Sequence, residues 1–102
     1  MPFIEPSQLA AKELLPGWVA RFFHSQHMTF AYTEIAKGAS VHRHHHPNEE
    51  VWNVIEGELE ITLDDETRTI TAGGAAVVPG ELDHSATAVT DCKGDRGRLS
   101  AA

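Results

Sequence analysis

The sequence has a single cysteine, Cys92, so it cannot form the internal disulfide framework that holds many small secreted domains together. It has no apolar run near the roughly 18 residues that a membrane span requires. Its opening, MPFIEPSQLAAKELL, shows no basic leader followed by an apolar stretch. We therefore expect a cytoplasmic protein with neither a membrane span nor a secretory signal.

Basic residues are also few. Eight Lys and Arg residues are scattered along the chain against 15 Asp and Glu, which gives a formal net charge of -7. Because nucleic acid binding depends on clustered basic side chains, we expect no nucleic acid partner. A length of 102 residues and a hydrophobic content of 41% suit one globular domain with a small core.

The spacing of turn-forming residues along the chain is typical of an all-β protein. Apolar or alternating segments are separated at short intervals by turn-forming pairs, namely Pro16-Gly17, Lys37-Gly38, Glu56-Gly57, Asp64-Asp65, Gly73-Gly74 and Pro79-Gly80. The segments WVARFFHS and HMTFAYTEI are rich in aromatic and β-branched residues and predict a hairpin. The pattern favours a barrel or sandwich.

The two ends of the chain differ from this pattern. Ser7 is a suitable N-cap for QLAAKELL, and Pro16 would end a helix there, so we predict a short N-terminal helix over residues 7–15. The closing GDRGRLSAA shows no strand or helix pattern. We predict one domain over residues 1–91, with its core at about 18–91, and a flexible C-terminal tail over residues 92–102.

Two segments carry the side chains that divalent transition metals prefer, three imidazoles and one carboxylate: His44, His46 and Glu50 in the first, and His84 in the second. On an extended strand, residues two apart project from one face, so His44 and His46 point one way and His45 the other. We expect His84 to approach the same point from across the barrel.

The chain between His46 and Glu50 contains Pro47-Asn48, a pair that favours a turn and would fold Glu50 back beneath the histidines. From Glu50, strand alternation places Trp52 and Val54 on the metal side, where they would form an apolar wall, and turns Glu49 away. Trp52 is equally typical of a buried core residue.

The histidines have two simpler interpretations than a functional metal site. The run is internal and interrupted by Arg43, which argues against an expression tag. A surface cluster that chelates metal without any chemistry remains an alternative, although Glu50 and His84 argue against it. His42 shares the parity of His44, and we expect it to be either near the metal or solvated.

The first segment resembles the cupin family. Gly38, His44, His46, Glu50 and Gly57 have the spacing of the first cupin signature, with five, one, three and six residues between them. The match holds at every fixed position of that signature. The resemblance, together with the second segment, covers about residues 30–91.

The second cupin signature is similar but weaker. Gly73, Pro79 and His84 match it, whereas Glu81 replaces a usual glycine and Ala88 a usual asparagine. These departures affect turn geometry and not the metal ligand.

The resemblance implies a double-stranded β-helix, or jelly-roll barrel, that holds one divalent metal through His44, His46, Glu50 and His84. Fe, Mn, Ni or Zn would each suit this donor set, and ligand type does not choose among them. The sequence after Asp91 shows no strand pattern, although such a barrel would need one further strand there. We therefore expect an open sheet edge, covered by the N-terminal PFIE segment or by a partner chain in a homodimer.

For function, the resemblance favours an enzyme acting on a small molecule. The leading hypothesis is dioxygenase-like oxidation, with Glu50 as a catalytic proton acceptor. An isomerase or lyase acting on a sugar or carboxylate is the first alternative. A ligand-binding or sensing protein is the second. Candidate bases are His42 and Tyr32, and candidate cations for a substrate carboxylate are Arg21, Arg43 and Arg68.

Overall fold

The structure is a computed structural model that describes residues 3–100. One 3-10 turn, Pro6–Gln8, precedes ten strands: β1 Ala11–Leu15, β2 Trp18–His24, β3 Met28–Ile35, β4 Ser40–His44, β5 Glu50–Glu56, β6 Leu59–Leu63, β7 Glu66–Ile70, β8 Ala75–Val78, β9 His84–Ala88 and β10 Cys92–Leu99. Within residues 3–100 no helix is long and apolar enough to cross a membrane.

The strands form two antiparallel sheets. The larger has the order β1-β2-β3-β10-β5-β8, and the smaller has the order β4-β9-β6-β7. The predicted hairpin is present as β2 and β3, with Trp18 opposite Ile35 and His24 opposite Thr29. This architecture confirms the all-β double-stranded β-helix predicted from the sequence.

The predicted N-terminal helix is wrong except for its first turn. Within the predicted segment only residues up to Gln8 are helical, as part of the 3-10 turn Pro6–Gln8, and Ser7 lies within that turn and not at an N-cap. Residues 11–15 instead form β1, which pairs with β2 from Ala11 opposite Arg21 to Leu15 opposite Trp18. Helix propensity is a weak preference, and the hydrogen bonds offered by the free edge of β2 outweigh it here.

The predicted flexible tail is also wrong for residues 92–99, which form β10 in the middle of the larger sheet. Cys92 to Leu99 pair with β3 along the whole strand, and Lys93 to Arg98 pair with β5 on the other side. Ala101 and Ala102 lie outside the described residues.

The glycines that argued against this strand are required by its neighbours. A Cβ on Gly94 would lie 2.3 Å from the backbone oxygen of Asn53, and a Cβ on Gly97 would lie 2.9 Å from the ring of Phe30. Glycine therefore permits the close packing of three strands.

The open edge predicted near the C-terminus does not exist, because β10 supplies the strand that the sequence pattern did not show. The PFIE segment is not needed to cover it. Of that segment, Phe3 to Glu5 belong to no strand, and Pro2 lies outside the described residues.

The interior is apolar at one end and polar at the other. Core residues from both sheets pack at the apolar end, among them Trp18, Ile35, Val54, Leu59, Ile61, Ala88 and Cys92. Trp18 meets Trp52 edge to face with ring centroids 6.0 Å apart. Along β5 the inward side chains change from Val54 through Trp52 to Glu50, so that β5 leads from the core to the polar end.

Candidate metal centre

The candidate ligands come from both sheets. His44 ends β4 and lies directly opposite His84, the first residue of β9, and their ring centroids are 4.3 Å apart. The sequence led us to expect that His84 approaches from across the barrel. That expectation is wrong, because His84 lies on the adjacent strand of the same sheet. It is Glu50, the first residue of β5 in the larger sheet, that faces the histidines from the opposite side.

His46 lies in the connection from β4 to β5, which contains the predicted Pro47-Asn48 turn. Its ring centroid is 5.7 Å from that of His44 and 4.9 Å from that of His84. The loop before β9 holds this connection, because the backbone N–H of Glu81 donates to the His46 carbonyl at 2.7 Å. One ring nitrogen of each of the three histidines lies within 4.8 Å of the others.

The three imidazoles are anchored in the same way, each by Nδ1 to a backbone carbonyl two residues away. The partner of His44 is the His42 oxygen at 2.7 Å, that of His46 is the Asn48 oxygen at 2.9 Å, and that of His84 is the Leu82 oxygen at 2.8 Å. A carbonyl only accepts, so each Nδ1 must carry the proton and donate it. In the neutral ring each Nε2 then has a lone pair, the form in which imidazole binds metal.

Two buried polar atoms at the centre have no hydrogen-bond partner among residues 3–100. They are Nε2 of His84 and Oε2 of Glu50, and each side chain is only 1% exposed. Orphaned polar atoms of this kind are costly in a folded protein unless an ion or a water satisfies them. Their position among the other two imidazoles fits a cation.

The contact between Glu50 and His46 leads to the same conclusion. Oε2 of Glu50 lies 2.8 Å from Nε2 of His46. Because the Nδ1 proton of His46 is already donated to Asn48, the neutral ring brings a lone pair towards a carboxylate oxygen. A proton on Nε2 or a metal ion between the two atoms would make this contact favourable, and a metal ion would also satisfy Nε2 of His84. Three imidazole nitrogens and one carboxylate oxygen thus form a donor set that fits a divalent transition metal.

The other oxygen of Glu50 is held by protein groups. The indole N–H of Trp52 donates a short hydrogen bond to Oε1, and Nε of Arg96 lies 3.4 Å from the same atom. These contacts fix the carboxylate so that Oε2 faces the histidines. Trp52 thus lines the metal side, as strand alternation predicted, and also belongs to the core.

Burial is the main cause that lowers the pKa of His84, and the nearby His44 lowers it further. The Leu82 carbonyl and Glu50 oppose this change. A lowered pKa keeps the His84 imidazole neutral near pH 7, as a metal ligand must be.

Of the other two histidines in this run, His45 lies where strand parity predicted. His45 points away from the centre, and its Nδ1 lies 3.0 Å from Oδ1 of Asp83. His42 is exposed, with its ring centroid 5.6 Å from that of His44. Its closest link to the centre is its backbone carbonyl, which accepts from His44.

The other candidate bases and cations lie away from the centre. Tyr32 lies on the outer face of the larger sheet and stacks on Phe23 at 5.3 Å. Arg21 donates to the Leu9 carbonyl, Arg43 pairs with Asp64 and Asp83, and Arg68 pairs with Glu66.

Arg96 is the residue that the sequence reasoning missed. It lies on the inner face of β10 beside Glu50, in the segment that was predicted to be a flexible tail. Strand alternation was the available signal, because Cys92, Gly94, Arg96 and Arg98 would point to the same face of a strand. The structure shows that Cys92 on this face is buried, so the face points inward.

Solved structures with the same fold confirm the architecture. An RmlC-like cupin from Shewanella frigidimarina NCIMB 400 matches with a TM-score of 0.91 and 24% identity over 99% of this chain and 92% of its own. KdgF from Halomonas sp. matches with a TM-score of 0.91 and 21% identity over 100% and 96%. A variant of the salicylate 1,2-dioxygenase from Pseudoaminobacter salicylatoxidans has a TM-score of 0.78 and 19% identity, over 83% of this chain and 27% of its own.

No curated protein sequence matches the chain. The family model described as the cupin domain matches residues 31–93, which include all four candidate ligands. The chain belongs to the cupin domain family.

Proposed function

We propose that this cupin binds one divalent transition metal through His44, His46, His84 and Glu50. The observation that supports the proposal is the set of three imidazoles, each with Nδ1 against a backbone carbonyl, so that Nε2 of the neutral ring has a free lone pair. The unpartnered Nε2 of His84 and Oε2 of Glu50 support it, because a metal would satisfy both atoms at once.

We further propose that the bound metal serves an enzyme reaction on a small organic molecule, with dioxygenase-like oxidation as the leading candidate. His44, His46, His84 and Glu50 would hold the ion and leave positions open on a five- or six-coordinate metal, and a redox-active ion would there supply electron transfer between the organic substrate and dioxygen. Glu50 is held by Trp52 and Arg96 with Oε2 facing His46, a position from which it can accept a proton. The salicylate 1,2-dioxygenase shows that this fold occurs within an oxygenase chain.

A metal-dependent isomerase or lyase acting on a sugar or carboxylate is the second candidate. The same fixed position of Glu50 favours it, because proton transfer beside a Lewis acid needs no redox change. A binding or sensing role is the non-enzymatic alternative, in which the metal holds a ligand without turnover.

Metal analysis followed by oxygen uptake tests these proposals in order. Protein prepared without added metal is reconstituted with iron, manganese, nickel or zinc, and the bound metal is counted for the unaltered chain and for the His84→Ala variant. We expect one metal per chain, lost in His84→Ala. Oxygen uptake is then measured with catechols, flavonols and diketones.

Uptake that depends on a redox-active metal supports the oxygenase candidate. No uptake, with turnover of a sugar or carboxylate by the zinc form, favours the isomerase or lyase. Stoichiometric metal with no turnover of any of these compounds would favour the binding role, and substoichiometric metal that His84→Ala retains would contradict the metal centre.

We also propose that the chain acts as a homodimer. Ile55, Val77 and Leu99 project from the larger sheet and are 54%, 56% and 62% exposed. Exposed large apolar side chains on one sheet face are a feature of protein interfaces. Light scattering coupled to size-exclusion chromatography should give twice the chain mass, and a monomer at all concentrations would exclude it.

A further inference from the structure

The arginines of this chain fall into two groups. Arg21, Arg43 and Arg68 lie away from the metal centre. Their guanidinium groups bind backbone carbonyls or exposed carboxylates. Arg96 and Arg98 lie on the inward parity of β10, where the backbone pairs Arg96 with Trp52 and Arg98 with Glu50. The second group therefore requires an explanation.

The guanidinium group of Arg96 contacts a protein carboxylate through its Nε side only. Its Nε lies 3.4 Å from Oε1 of Glu50, and its Cζ lies 5.9 Å from the centroid of the Phe22 ring. The side chain is 22% exposed, and its two terminal nitrogens have no hydrogen-bond partner among residues 3–100. A half-buried guanidinium with free Nη1 and Nη2 offers the parallel pair of donors that matches the two oxygens of a carboxylate.

Arg98 adds a second positive charge to the same face. It forms no ion pair among the described residues, and together with burial it lowers the pKa of Arg96, against the opposing effect of Glu50. Arg96 and Arg98 thus bring two positive charges to a face where Glu50 carries one negative charge, which leaves one positive charge in excess before any metal is counted. A monoanion would balance that charge in a region where water screens it poorly.

We propose that Arg96 and Arg98 form an anion site beside the metal centre, and that it binds the carboxylate of a small organic acid while Arg96 keeps its contact to Glu50. The inference deepens the proposed function by naming a substrate class, and it rests on that function for the role of the neighbouring metal. The carboxylate is favoured over phosphate because the one free pair of Arg96 donors matches the two oxygens of a planar carboxylate.

The test uses two probes of nearly equal shape, glycolate and its neutral analogue glycolamide. Their affinities for the zinc-loaded protein are measured by isothermal titration calorimetry at low ionic strength, for the unaltered chain and for Arg96→Gln. Arg68→Gln is the matched control, because Arg68 is exposed and pairs only with Glu66. Zinc itself favours a carboxylate over an amide, so the informative quantity is the change in the glycolate preference between variants.

We expect Arg96→Gln to reduce the preference for glycolate by about tenfold or more, as for a lost charged hydrogen bond, and Arg68→Gln to leave it unchanged. If Arg96 only balances the charge of Glu50, zinc affinity changes in Arg96→Gln while the glycolate preference stays the same, and the proposal is overturned. Tighter binding of inorganic phosphate than of glycolate would overturn the assignment to a carboxylate.

A folding check and a zinc titration accompany the anion measurements. If circular dichroism shows that Arg96→Gln does not fold, Arg98→Gln takes its place, and an unchanged glycolate preference there overturns the proposal. Zinc binding is titrated before the anions. Should zinc fail to bind, the metal proposal fails alone, because the same comparison of probes and variants on the metal-free chain still tests the arginines.

Discussion

Replacing His84 with alanine tests the metal centre most directly, and His45→Ala is its control. The His84 side chain is buried, and its Nε2 has no hydrogen-bond partner among residues 3–100. The His45 side chain is 58% exposed and contacts Asp83 on the other face of the strand. The first substitution removes one of four donors, and the second removes none.

The expected loss of affinity follows from the number of donors. Structural zinc sites with four ligands bind with about 10–16 kcal/mol in small peptides, so an equal share assigns each ligand about 2.5–4 kcal/mol. Because each 1.4 kcal/mol corresponds to a factor of ten, His84→Ala should weaken zinc binding by roughly 300-fold.

Thermal unfolding reports this change. Zinc at about 100 times its Kd stabilises the native state by about 2.7 kcal/mol. At about 4–8 °C per kcal/mol for a domain of this size, it should raise the Tm of the unaltered chain by roughly 10–20 °C. At the same zinc concentration a site weakened roughly 300-fold gains only about 0.2 kcal/mol, or about 1 °C.

Calorimetric scans of the three proteins with and without zinc supply the measurement. We expect a large rise in Tm for the unaltered chain and for His45→Ala, and almost none for His84→Ala. Equal responses from the two variants, whether both retained or both lost, would refute the assignment of opposite roles to the two histidines.

Three other substitutions or deletions probe separate parts of the molecule. Glu50→Gln should lower zinc affinity by about tenfold or more in a calorimetric titration, because Oε2 faces His46; full metal retention with lost turnover would instead assign Glu50 to proton transfer. Glu81 has a φ of 67°, so Glu81→Gly should raise the Tm by a few degrees as about 1 kcal/mol of left-handed strain is relieved, and a lower Tm would contradict this. Truncation after Asp91 removes β10 from between β3 and β5 and should abolish cooperative unfolding in circular dichroism, whereas a folded product would disprove its central role.

The relative placement of the neighbouring histidines could be predicted because spacing and strand parity are local properties. Residues two apart share a face, and this placed His44 and His46 together and His45 outside, as the structure has them. The position of His84 could not be predicted in the same way. Whether a strand lies beside β4 or across the barrel depends on the pairing of distant segments, and the structure pairs His84 directly with His44.

The errors at the two ends have a common physical cause. Residues 11–15 have good helix formers, and residues 92–99 have glycines and charges, so local preference disfavours a strand in both. Both nevertheless pair with neighbouring strands. Within β10, Gly94 is required by the Asn53 backbone and Gly97 by the Phe30 ring, contacts that the sequence does not reveal.

The features that made β10 hard to recognise also connect the fold to the site. Its glycines allow close packing against β3 and β5, and its arginines bring charge to the inner face beside Glu50. Burial lowers the pKa of both Arg96 and His84, which shows that charging these side chains within the polar end is unfavourable. Apolar burial, including the packing of Trp18 on Trp52, stabilises the fold at the apolar end, and a cation bound among the histidines would add stability at the polar end.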